Sequence, residues 1–245
     1  MNTKHKFQAF AASALALALT GCGGGGGSSA PVATPPAATA VLQGLWQSPT
    51  GAANNLSAVA LPDGKLWVLA SSGNTTRLIK ATLAQQTSGF GGNGKSYTLG
   101  SNAASVSASV TASVVEKSSM TGTLSLTGGQ PETFALTYQT RYDTAAVLAD
   151  FAGSWQATLG PGIVNWTLAS TGALTGTRTT GCTYTGQLSL RSESKAVVDA
   201  VVTETCASAT TELSGVAVLT SDKSRIIMML ATADEVTGVA VSLGH

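Results

Sequence analysis

Charge and histidine are what this sequence has least of. Only 10% of its 245 residues are charged, 13 basic against 12 acidic, and two are histidine. A chain so near neutrality carries no basic footprint for nucleic acid, and none is expected as a partner. His5 lies near the start and His245 is the last residue given. A Ser-His-Asp or Cys-His arrangement would need that last residue held in place, and nothing beside it in sequence suggests so. No G-x-S-x-G elbow occurs. No catalytic, cofactor-binding or metal-ligating residue is therefore assigned, and no cofactor is expected. Aromatics are sparse at 5%, and no long stretch repeats apolar residues at helical spacing; only Thr144 to Phe151 could form a short helical link. What remains is rich in Gly, Thr, Ser, Val, Ala and Leu, the mixture of many short strands joined by turns.

The chain opens MNTKHKFQAFAASALALALTGC. Lys4, His5 and Lys6 make a basic start. Phe7 to Leu19 is an apolar run of signal-peptide length, short for a bilayer span. It ends at Leu19-Thr20-Gly21-Cys22, which resembles the lipobox of bacterial lipoproteins. The resemblance implies cleavage before Cys22, diacylglycerol on its sulfur and acylation of the new amino group. Several acyl chains on one residue would hold the protein to a membrane stably. In lipoproteins of this kind an Asp after the cysteine favours the inner membrane. Residue 23 is Gly, so the outer membrane is expected. Of the 13 basic residues Lys4 and Lys6 would be lost with the signal, leaving 11 against 12 acidic residues.

Residues 22–41 read as a Gly/Ser- and Pro-rich tether that cannot bury a core. Two units follow, over 42–148 and 149–245. Leu42-Gln43-Gly44-Leu45-Trp46 opens one and Phe151-Ala152-Gly153-Ser154-Trp155 the other. Each opening is followed by a strand, a turn and a strand, with Asp63-Gly64 and Thr171-Gly172 at the turns. Period-2 alternation recurs in Val106, Ala108 and Val110 against Ser107, Ser109 and Thr111, and in Phe134, Leu136 and Tyr138 against Thr133, Ala135 and Thr137. The expected fold is all-β and antiparallel, two small barrel- or sandwich-like units in tandem, with one continuous sheet as the alternative.

The G-x-W openings resemble the first-strand motif of lipocalins, which implies that Trp46 and Trp155 close barrel ends, as core aromatics. The mature chain also resembles uncharacterised two-part bacterial lipoproteins whose second half carries G-C-T-x-x-G and a strand pair returning to a second Cys. Here these are Gly181 to Gly186 and Cys206. A hairpin centred on Ser194 pairs Leu190 with Val198, Leu188 with Ala200, Gly186 with Val202 and Tyr184 with Glu204, and brings Cys182 opposite Cys206. It gathers Leu188, Leu190, Val198, Ala200 and Val202 on one face. In an oxidising envelope a disulfide is expected; a zinc site is the poorer alternative, since no histidine lies near the two thiols.

GFGGNGKS, Gly89 to Ser96, fits the phosphate-loop spacing G-x-x-x-x-G-K-[ST]. The residues after Ser96 read as strand, however, and supply no helix N-terminus for a phosphate. The stretch is expected to be a Gly-rich connection with Asn93-Gly94 as a turn, and no nucleotide is expected as a partner. Asp143 with Asp150 and Asp234 with Glu235 could serve as acid–base pairs, but all four lie near expected turns or links. Lys65, Arg77, Lys80 and Arg178 form no cluster in sequence. Trp67 and Trp166 stand in apolar runs and are expected in the core. The N-x-[ST] matches at Asn55, Asn74 and Asn165 carry little weight in a bacterial lipoprotein. The expected function is that of a lipid-anchored cell-envelope protein, a binding or structural module rather than an enzyme, held by acylated Cys22 and meeting an envelope protein or a small apolar ligand. The alternatives are a lipocalin-like carrier of a small apolar ligand and a carboxylate-dependent hydrolase.

Overall fold

The computed structural model describes residues 41–245 apart from Ala53, Asn102 and Ser208. The expected signal peptide, Cys22 and the tether up to residue 40 lie outside the described residues. Within them the chain forms two closed antiparallel barrels of eight strands each. The first comprises β1 (Gly44–Gln47), β2 (Asn55–Ala60), β3 (Lys65–Ser72), β4 (Thr75–Gln86), β5 (Gly89–Thr98), β6 (Val106–Val115), β7 (Ser119–Leu126) and β8 (Glu132–Tyr138). The second comprises β9 (Gly153–Leu159), β10 (Gly162–Leu168), β11 (Ala173–Arg178), β12 (Thr183–Leu190), β13 (Val197–Cys206), β14 (Ala209–Leu219), β15 (Arg225–Ala231) and β16 (Gly238–Gly244). Within each barrel, strands consecutive in the chain pair with one another. β1 closes on β8 through Trp46↔Tyr138 and Gln47↔Thr137, and β9 on β16 through Gly244↔Gln156. The link between the barrels carries two 3₁₀ turns, Thr140–Asp143 and Leu148–Phe151, where a short helix was expected over 144–151.

Alternation decides which side chains enter a barrel. Ala108, Val110 and Ala112 of β6 point in and are buried, as are Leu136 and Tyr138 of β8. The two expected hairpin turns form, with Gly64 at φ +83° and Gly172 at φ +86°, a backbone region that glycine enters without a Cβ penalty.

Asn93-Gly94 does not turn. GFGGNGKS is the body of β5, laddered to β4 and β6 along its length, and the tight turn falls earlier, at Thr87-Ser88 between the paired Gln86 and Gly89. The glycines serve close approach rather than reversal. A Cβ on Gly92 would lie 1.9 Å from the Thr82 carbonyl oxygen, and one on Gly94 1.9 Å from that of Lys80. Their absence lets β5 coil tightly against β4.

The first barrel is filled by Ala58, Leu66, Ile79, Val110, Met120 and Leu136 among others, leaving a void of about 20 Å³, close to the space of a single water. The second is filled by residues that include Trp166, Tyr184, Leu188, Val202, Met228 and Leu230.

The barrels are joined along their outer walls. Leu45, Val59 and Trp67 are register partners whose side chains face away from the first barrel's interior, as are Leu78 and Tyr97 one step along, yet all five are buried. They form one apolar cluster with Val197, Val216, Val218, Met229 and Ala231, which face outward from the second barrel. Trp67 is buried, as expected of a core residue, and the core it joins is the seam between the barrels. Tyr97 lies on Gly238 of β16, where a Cβ would come within 2.4 Å of its ring. Burial pushes the Tyr97 phenol up to about 12, helped by Glu235 and Asp234. Polar contacts fringe the seam. Lys80 Nζ reaches Glu235 Oε1 at 2.8 Å, Ser105 Oγ donates to the Glu235 carbonyl at 3.1 Å, and Asp143 in the link accepts from Lys117 of one barrel and Lys195 of the other.

Candidate functional site

Cys182 and Cys206 are joined by a disulfide, with Cα atoms 4.3 Å apart. It stands at the far end of the β12–β13 hairpin, whose register is the one centred on Ser194: Leu190↔Val198, Leu188↔Ala200, Gly186↔Val202 and Tyr184↔Glu204. Ser194 itself adopts φ +51°, in the left-handed region. One member of the expected apolar face departs. Leu190 ends β12 and is 54% exposed, although its register partner Val198 is buried. Glu204 lies within 4.8 Å of both sulfurs, but its carboxylate accepts from Tyr184 Oη and pairs with Arg178 at 3.6 Å. Burial first, then this hydrogen bond, raises the Tyr184 phenol above its ordinary range.

Trp46 and Trp155 occupy equivalent places. Each is buried on the first strand of its barrel, beside the pairs that close it. Each donates its indole N–H to the carbonyl four residues earlier, Trp46 to Leu42 at 3.3 Å and Trp155 to Phe151 at 2.8 Å. Trp46 meets Tyr138 of β8 edge-on, with ring centroids 5.2 Å apart. Trp155 meets His245, with ring centroids 3.7 Å apart, and His245 Nδ1 lies 3.2 Å from the Ser154 carbonyl. The last residue given is therefore held, contrary to the sequence expectation. It is held by an indole face and a backbone oxygen rather than by a nucleophile.

The carboxylates named as acid–base candidates are engaged by other groups. Asp143 takes 2.8 and 3.0 Å contacts from Lys195 and Lys117, Asp150 takes a 2.9 Å contact from Lys223, and Glu235 takes Lys80. Asp234 accepts from the Val236 N–H within its own turn. The hydrogen bonds from Lys195 and Lys117 hold the Asp143 carboxyl down to about 2. Lys65, Arg77, Lys80 and Arg178 are likewise each paired with a carboxylate, Asp63, Glu132, Glu235 and Glu204 in turn.

Arg141 is different, and nothing in its sequence context marks it. It stands in the first 3₁₀ turn of the link. All 12 acidic residues lie after residue 40 and are described, and none forms an ion pair with it. One guanidinium N–H donates to the Leu219 carbonyl at 2.8 Å. Half-buried, the group is desolvated without a compensating anion, which lowers its pKa from the ordinary arginine value. It borders two hollows of about 280 Å³ each that share Arg141, Thr220 and Ser221. One runs over the link, beside the Asp150–Lys223 pair. The other opens along the seam and is walled by Leu45, Val59, Val218, Ile227 and Met229, with Gln47, Ser57 and Gln139 at hand.

No protein-family model, curated protein or solved structure matches the chain. The site and its chemistry rest on the residues alone.

Proposed function

We propose that this chain is a lipid-anchored lipoprotein of the bacterial cell envelope, in the outer membrane, whose folded part serves as a binding or structural module. The observation that carries the second half is the pair of apolar-filled barrels joined by a buried seam. Such a body offers rigid outer surface rather than an internal chamber. In the first barrel the carrier reading meets a void of about 20 Å³, too small for an apolar ligand. The anchor rests on the Leu19-Thr20-Gly21-Cys22 lipobox and the Gly and Pro tether behind it.

The test of the anchor is metabolic labelling with an alkyne fatty acid in a Gram-negative host. The wild-type chain should take the label and pellet with outer membrane, and Cys22→Ser should lose both properties. An unlabelled, soluble wild-type chain would end this reading. Capture from detergent-solubilised envelope then tests the partner: a protein enriched on the anchored chain over Cys22→Ser supports the module role, and equal recovery on both counts against it.

A further inference from the structure

We propose that the seam cleft beside Arg141 binds a small amphiphilic carboxylate, its head on the guanidinium and its short apolar body against Leu45, Val59, Val218, Ile227 and Met229. The argument begins with charge. Taking a cation out of water without a partner is costly, and structures normally supply a carboxylate or neutralise the group. Arginine cannot be neutralised under ordinary conditions, and Arg141 has no carboxylate partner among the chain's acidic residues. Only one of its N–H groups has a protein acceptor. Four donors of a five-donor fork remain for a ligand, and a planar carboxylate matches two of them at once.

The shape of the cleft selects among anions. Arg141 is the single charged residue lining it, so one negative charge balances it. A phosphate with two would be left half-compensated. The opposite wall is aliphatic, which rewards a ligand with a hydrocarbon part and gives nothing to a bare inorganic ion. At about 280 Å³ the space lies near the lower end of small-molecule pockets. The neighbouring hollow already holds both signs, Asp150 with Lys223, and adds no net attraction. Because the walls come from both barrels, the ligand would bridge the seam. This site is separate from the barrel interior in which a carrier would have held its cargo.

The proposal stands apart from the membrane anchor and is tested without it, in the whole chain carrying Cys22→Ser, so that acyl chains and detergent do not compete. Isothermal titration with octanoate, octan-1-ol and inorganic phosphate is the measurement. Octanoate should bind at least tenfold more tightly than either of the others. Arg141→Gln should weaken octanoate at least tenfold and leave octanol unchanged, and Arg141→Lys should restore part of the loss. Gln139→Glu, nearly isosteric, puts a competing carboxylate into the cleft and should weaken octanoate to the same degree. Equal affinity for octanoate and octanol, stronger binding of phosphate, undiminished octanoate binding by Arg141→Gln, or no heat at millimolar octanoate would each overturn the proposal. Should the variants unfold, the comparison of the three probes on the Arg141 chain still decides.

Discussion

Single side chains at the seam are tuned by what each barrel presents to the other. Asp143 is the plainest case, since it receives one lysine from each side. Its carboxyl is held at about 2 in the folded chain against 3.8 for the free group. A depressed carboxyl contributes stability that is fully present above the unfolded value and disappears as pH falls through the folded one. The stability difference between wild type and Asp143→Asn should therefore be constant above about pH 4 and shrink toward zero near pH 2. Urea unfolding at a series of pH values measures it, and a difference that persists unchanged at pH 2 would contradict the pairing. Because the side chain is a third exposed, the effect at neutral pH should be small and should weaken further in high salt.

At the level of strands and hairpins, the β12–β13 hairpin and its disulfide belong together. Replacing both cysteines by serine should lower stability by about 3 kcal/mol, the chain-entropy value for a loop of this length. Thermal or denaturant unfolding under oxidising conditions reads the loss, and adding reductant to the wild type should reproduce it. The register of this hairpin was legible in the sequence, though not the exposure of Leu190, since the alternation of Leu188 and Val198 against Thr185 and Gln187 and the positions of two cysteines point to one register. Strand β5 was not. Asn-Gly is the strongest short-range turn signal, but that signal is local, while the need for Gly92 and Gly94 is set by the Thr82 and Lys80 carbonyls on another strand. Trp67 was legible as a core residue, but not which walls it packs between. Its apolar run announces burial on both faces, and period alone does not say that the second face is covered by another barrel. Arg141 left no signal at all, because lacking a carboxylate partner is a property of the folded neighbourhood.

For the whole molecule, the seam makes two barrels into one cooperative body. Residues that face outward on each barrel are buried by the other, so neither can separate without exposing a wall that includes Trp67, Tyr97, Val218 and Met229. Calorimetry of the wild type should show a single transition. Trp67→Ala removes the largest seam side chain and should cost about 3–5 kcal/mol. Because that loss falls on the junction, it should also split the transition into two. Two transitions already in the wild type would mean that the barrels are thermally independent.

The two closing joints differ from every other strand pair in how little backbone they share. Neighbours such as β13 and β14 match ten residues, whereas β1 and β8 match two and β9 and β16 one. An up-and-down barrel assembled in chain order makes these joints last, between strands farthest apart in sequence. At each of them an aromatic pair, Trp46 on Tyr138 and Trp155 on His245, spans the gap. The repeated tryptophan thus works as a clasp on a ring: amide exchange should be fastest where the ladder is shortest, and the ring contact keeps that opening rare.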